Sequence, residues 1–202
     1  MSKLIDKEVE NLNKTLELGK PITKKKLWGN KWINVMEADG WFTYSNNAAG
    51  TGSGVSVLGY REFKDGKDTE LLIRSENNPA HGGFINCSLT GTIETGDTPL
   101  YTAKKELLEE SGYKADESEF TYLGWVYPSK FSDYKQHLYA VNLTDKVQGE
   151  LEGDGTFGEK GASVFWLSID EAAQLPYPSI CTSLIRLSLH KEDQGVDKEV
   201  IR

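Results

Sequence analysis

Glu106, Glu109 and Glu110 stand within one helical turn or so of each other in the stretch Lys105-Glu106-Leu107-Leu108-Glu109-Glu110-Ser111-Gly112-Tyr113. A helix C-terminus already carries partial negative charge, so each carboxylate there loses about 0.3–1 kcal/mol. Like charges three and four residues apart lose about 0.2–0.5 kcal/mol more per pair. A local rule broken three times without visible compensation marks a functional site. Clustered hard oxygen ligands suit Mg²⁺ or Mn²⁺, and a divalent cation turns the repulsion into binding.

The helix that must present them is delimited by its own ends. Thr98 is a suitable N-cap, Pro99 fits the first helical position, and Gly112 follows the last turn. Leu100, Ala103, Leu107 and Leu108 supply an apolar stripe at helical spacing. The three glutamates then share an arc of about 100° and are expected to converge on one place.

Wider spacing carries more. Gly91 is followed after five residues by Asp97, after seven more by Lys105-Glu106-Leu107, then by Glu109-Glu110 and Gly112-Tyr113. This resembles the Nudix box, GX5EX7REUXEEXGU, in which U is a bulky apolar residue. The two departures are Asp97 for the first Glu and Lys105 for the Arg. In the family these side chains are generally paired, and Asp97 with Lys105 can still pair, without the bidentate fork of an arginine.

The resemblance implies a mixed-sheet α/β/α sandwich of α+β class and hydrolysis of a nucleoside diphosphate linked to another moiety. It implies Mg²⁺ as cofactor, with Mn²⁺ as an alternative, held by Glu106, Glu109 and Glu110 and by the backbone carbonyl of Thr90. Glu109 is assigned a catalytic role as well. Gly91, Asp97, Lys105 and Gly112 are the structural positions of the box. Pro128, fifteen residues beyond Tyr113, resembles a mark of the ADP-ribose pyrophosphatase subgroup. That points to ADP-ribose as substrate, yielding AMP and ribose 5-phosphate. Alternatives are a nucleotide sugar, NADH, a dinucleoside polyphosphate or an RNA cap, or a ligand sensor without turnover.

Subgroup members commonly place a water-activating glutamate in the loop after this proline, where Tyr134 aligns here. A tyrosine of ordinary pKa is a weak base at neutral pH. Asp133 is the first substitute, with Glu152, Asp154 and Glu159 of the Gly-rich segment as others. Arg74, Pro128 and Phe131 are the candidate substrate contacts, although an Arg74 lying on the surface beside Glu76 is the plainer reading.

The chain has 202 residues, 38% hydrophobic and 27% charged, enough for one core of normal size. A formal net charge of −8 argues against non-specific nucleic-acid binding, which relies on Lys and Arg. It leaves room for a small anionic partner that arrives with metal. Cys87 and Cys181 form no metal motif and read as reduced thiols in cytoplasm. Neither a signal peptide nor an apolar run of membrane length is visible.

Residues 1–52 read as an N-terminal extension, 53–192 as the hydrolase domain and 193–202 as a polar tail. The extension should contain an amphipathic helix over 4–18 and a hairpin-like strand pair around Ala38-Asp39-Gly40. By resemblance it is a possible homodimer arm. Residues 49–54 read as a linker or turn. Strands are expected over 55–60, 70–74, 121–127, 137–143 and 163–167, and helices over 170–175 and 179–191.

Overall fold

The computed structural model describes residues 23–46, 51–63, 69–151 and 160–193. The helix expected over 4–18, nearly all of the tail, and Glu152, Asp154 and Glu159 lie outside the described residues.

The larger of two sheets is mixed and seven-stranded. Its strands are β4 (Ser53–Glu62), β5 (Thr69–Asn78), β6 (Gly83–Cys87), β7 (Leu89–Thr92), β8 (Phe120–Val126), β9 (Lys135–Asn142) and β10 (Ser163–Ser168). The main order is β10-β5-β4-β9-β8, with β6 on β5 and β7 on β4. β4 runs parallel to β9 and antiparallel to β5 and β7. Its first eight residues all pair with β9, from Ser53 opposite Lys135 to Tyr60 opposite Asn142.

Both faces of this sheet are covered, so β4 reads as a near-continuous buried run rather than an alternating one. On one face, Val55, Val57, Leu72, Leu89, Tyr139 and Val141 pack with Ala103 and Leu107 of helix α1 (Pro99–Ser111). On the other, Leu58, Leu71, Ile73, Leu138 and Ala140 pack with Ile180 and Leu187 of α3 (Pro178–Asp193). A one-turn helix α2 (Ile169–Ala172) precedes α3 and is shorter than expected; Ser168 and Glu171 close it with a reciprocal capping box. The α/β/α sandwich is thus present.

α1 has the ends its sequence dictates. The Thr98 hydroxyl accepts from the Tyr101 N–H at 3.1 Å. Gly112 takes the left-handed conformation (φ 72°), and its N–H donates to the Leu108 carbonyl at 2.8 Å.

β1 (Lys25–Gly29), β2 (Ile33–Ala38) and β3 (Trp41–Asn46) form a separate antiparallel sheet. Asp39 and Gly40, both at positive φ (48° and 79°), make the two-residue turn that brings Ala38 opposite Trp41. The Tyr44 N–H donates to the Phe131 carbonyl at 2.9 Å, which joins this sheet to the loop after β8. None of the sheet's described residues is buried.

Several elements differ from expectation. The stretch 49–54 is not all linker, because Ser53 and Gly54 already belong to β4. β1, β6 and β7 were not expected; each is four or five residues long, too short to show periodicity. No helix among the described residues is long and apolar enough to cross a membrane.

A Cβ on Gly112 would lie 2.5 Å from the Gly149 carbonyl oxygen, besides straining the left-handed backbone. Gly112→Ala is expected to lower stability by at least about 1–2 kcal/mol; urea denaturation with an unchanged midpoint would contradict this.

Candidate active site

The helix frame delivers the three glutamates to the side of α1 that borders β7 and β5, but they do not meet at a point. Glu106 lies over Gly91, so closely that a Cβ there would stand 1.9 Å from its Oε1. Gly91 is therefore a requirement of the Glu106 position, whereas its sequence context showed only a motif. Glu110 turns inward and is 7% exposed. One of its oxygens accepts from the Thr90 N–H at 2.8 Å, and the other stands 3.3 Å from Arg74 Nε. Glu109 is half-buried, 3.9 Å from Lys105 Nζ.

This corrects the expected convergence. Like charges on one helix arc repel, and Glu110 and Glu109 are drawn to positive partners on different segments, Arg74 and Lys105. Among the described residues no three acidic, His or Cys side chains are grouped closely enough to hold a cation as they stand. The donor set is nevertheless made of hard oxygens only, the chemistry Mg²⁺ or Mn²⁺ selects.

Arg74 is not at the surface. It is 4% exposed in the middle of β5, and its Nε also reaches Glu76 at 3.0 Å while Nη1 donates to the Glu110 backbone carbonyl at 3.2 Å. Its expected place on a substrate phosphate gives way to a structural one, in which strand β5 holds the last turn of α1. Burial pushes the Glu110 carboxyl well above the usual range, while Arg74 and the Thr90 N–H pull it back.

The expected pairing of Asp97 with Lys105 is also replaced. Lys105 pairs with Glu109 one turn along, and Asp97 engages the loop through its N–H, which donates to the Glu94 carbonyl at 3.0 Å. The substitute base Asp133 faces away from the box: it is about half exposed, and its Oδ2 is 3.7 Å from Lys24 Nζ of the N-terminal segment. Its neighbour Tyr134 is the residue turned in. Its hydroxyl occupies the space where a Cβ on Gly54 would project, at 1.7 Å from that position. Burial, then the nearby Glu106 charge, push its phenol up to about 12, so it stays neutral and able to donate. The need for Gly54 was missed; a glycine at a strand start is the signal of such a close approach.

Pro128 and Phe131 are exposed in the loop that β3 grips. That loop starts from a β-bulge at Gly124 (φ 87°), where Arg186 of α3 donates to the carbonyls of Leu123 and Trp125 at 2.9 and 3.2 Å.

The family model for the NUDIX domain matches residues 51–182. Among solved structures, a crystal structure of an ADP compounds hydrolase superimposes with a TM-score of 0.59 at 15% identity. That match covers 87% of this chain and 95% of the other, and at such identity it bears on the fold alone. No curated protein matches the sequence.

The tight seat of Glu106 yields a test. Gly91→Ala must push the Glu106 carboxylate aside and is expected to weaken Mn²⁺ binding by about 10–100-fold, as loss of an orienting contact typically does. Electron paramagnetic resonance titration measures it, and parental affinity would show that Glu106 is not a ligand.

Proposed function

The chain belongs to the Nudix hydrolase family, and from that premise we propose that it is a Mg²⁺-dependent pyrophosphohydrolase that cleaves ADP-ribose to AMP and ribose 5-phosphate. The observation that carries the hydrolase reading is the box seated as a unit, with Glu106 over Gly91 and Glu110 tied to Thr90. Support for the substrate comes from Pro128 at the subgroup's offset.

Glu106, Glu109 and Glu110, with the Thr90 carbonyl, would hold Mg²⁺ or Mn²⁺, which when bound neutralises pyrophosphate charge and lowers the pKa of the attacking water. Water adds to one phosphorus, and the bond to the bridging oxygen breaks. Glu109, partly accessible and outside the Arg74 and Thr90 contacts that hold Glu110, takes the water's proton. Asp133, paired with Lys24, is left out of that step. Tyr134 donates rather than accepts.

The exposed aromatics of the N-terminal sheet, Trp28, Trp41 and Phe42, each more than half accessible, support a homodimer through that sheet. The free thiols Cys87 and Cys181 fit a reducing compartment, and we assign the protein to the cytoplasm.

Chromatography after incubation with Mg²⁺ and a panel of ADP-ribose, ADP-glucose, NADH, diadenosine polyphosphates and nucleoside triphosphates tests the substrate. AMP should appear from ADP-ribose, cease with EDTA and return with Mg²⁺. Release from another member alone would remove ADP-ribose, and tight binding of ADP-ribose without turnover would make the protein a sensor. Glu109→Gln is expected to lower kcat by about 10²–10⁴-fold, whereas Asp133→Asn should change it less than about twofold. The reverse order would return the base to Asp133.

For the dimer, the double substitution Trp41→Glu, Phe42→Glu should convert the species seen by light scattering to monomer; a parent that is already monomeric would refute the interface.

A further inference from the structure

The opposite flank of α1 carries a second feature that the hydrolytic reading does not use. Tyr101, Lys104, Lys105 and Leu108 recur at helical spacing, and Lys104 lies about 200° around the helix from Glu106. With Lys114, Ala115, Asp116, Glu119 and Lys146 they line a groove of about 590 Å³, within the range of small-molecule sites.

Its charge runs against that of the whole chain. Four lysines face two carboxylates here, in a protein of formal net charge −8. Lys146 is bound to Glu119 at 2.7 Å, and Lys105 is 3.9 Å from Glu109. Lys104 and Lys114 make no ion pair among the described residues, and they add like charge to the same groove. The remaining acid, Asp116, joins the short turn Glu117–Glu119 through its backbone, its N–H donating to Glu119 Oε2 at 2.7 Å, and its single carboxylate faces the two ammonium groups of Lys104 and Lys114. Beside the lysines lie an apolar floor, Leu108 and buried Ala115, and the half-exposed ring of Tyr101.

We propose that this groove binds a nucleoside phosphate, with the phosphate on Lys104 and Lys114 and the base against Tyr101 and Leu108. An anion relieves the repulsion between the unpaired ammonium groups, and an aromatic ring stacks on an exposed tyrosine more favourably than a sugar alone does. Lys105 lies on the crest of α1 between the groove and Glu109, so a phosphate in the groove competes with the Lys105–Glu109 pair. The site does not depend on the hydrolytic assignment, since binding is read without turnover.

The test is ¹H–¹⁵N NMR titration of the full chain in EDTA with AMP, inorganic phosphate and adenosine as separate probes. AMP should shift the amides of Tyr101, Lys104, Lys114 and Ala115, more strongly than either fragment. The double variant Lys104→Gln, Lys114→Gln should weaken AMP binding by at least about tenfold, the loss of a charged hydrogen bond or more. Tyr101→Leu should weaken AMP while leaving inorganic phosphate unchanged. Shifts confined to the Glu106 flank, or an AMP affinity unaltered in the double variant with its spectrum otherwise native, would overturn the proposal. Turnover of ADP-ribose can fail without touching this result, and the reverse holds as well.

Discussion

The contact on which the site depends is the buried Arg74 guanidinium between β5 and the last turn of α1. A helix leaves its final carbonyls unpaired and its C-terminus partly negative. Arg74 answers both at once, donating to the Glu110 carbonyl and standing against the Glu110 carboxylate, while Glu76 shares the same guanidinium and adds negative charge beside Glu110. The loop after β9 completes the cap, because Gln148 Nε2 donates to the Ser111 carbonyl and the Gly149 N–H to that of Gly112, both at 2.9 Å. The compensation that looked absent for a glutamate-rich helix end is therefore tertiary. Removing one member of such a buried set leaves an uncompensated charge, an effect of about 3–5 kcal/mol. Rigidity of the box follows from this one arginine more than from Lys105, which sits outside at the helix surface.

Close approach of backbone is the second constraint. Glu106 lies against the Gly91 Cα, and Tyr134 lies against that of Gly54, while Val55 is the direct cross-strand partner of Gly91. Near the start of β4 and near the end of β7 one residue thus lacks a side chain, so that Tyr134 and Glu106 can reach across the backbone there. The Gly91 carbonyl oxygen would itself stand 2.6 Å from a Cβ at Gly54. No larger residue fits either position while both side chains stay where they are.

How much of this could be read from the chain depends on the range of the forces involved. α1 is delimited by Thr98, Pro99 and Gly112, whose effects reach no further than one turn, and its ends appear where those residues place them. The Asp39-Gly40 hairpin is equally local. Arg74 is different: alternation along β5 places it on the same face as Leu72 and Glu76, but its burial requires α1 to lie over that face, and nothing within five residues reports this. β6 and β7 escaped notice because Cys87 and Leu89 are separated only by Ser88 and neither strand has room for a repeat. The inward turn of Glu110 was also beyond reach, since it rests on Arg74 of β5 and the backbone N–H of Thr90 in β7, whereas the Lys105–Glu109 pair lies within one turn of α1.

The choice between Asp133 and Tyr134 shows the same limit with chemical consequences. These neighbours precede β9, and which one turns toward the box is decided by the parallel pairing of Lys135 with Ser53, more than eighty residues away in the chain. The pairing sends Tyr134 inward and leaves Asp133 to Lys24. A fourth carboxylate in the inward position would be desolvated beside Glu106 and would raise the charge that a cation must neutralise. A phenol adds none. It also cannot take a proton from water at neutral pH, so in the proposed reaction acid–base work falls back on the helix itself. There Glu110 is committed to Arg74 and Thr90, and Glu106 is wedged over Gly91. Glu109 keeps a partly accessible carboxylate, paired with Lys105, a single flexible ammonium at the edge of ion-pair distance.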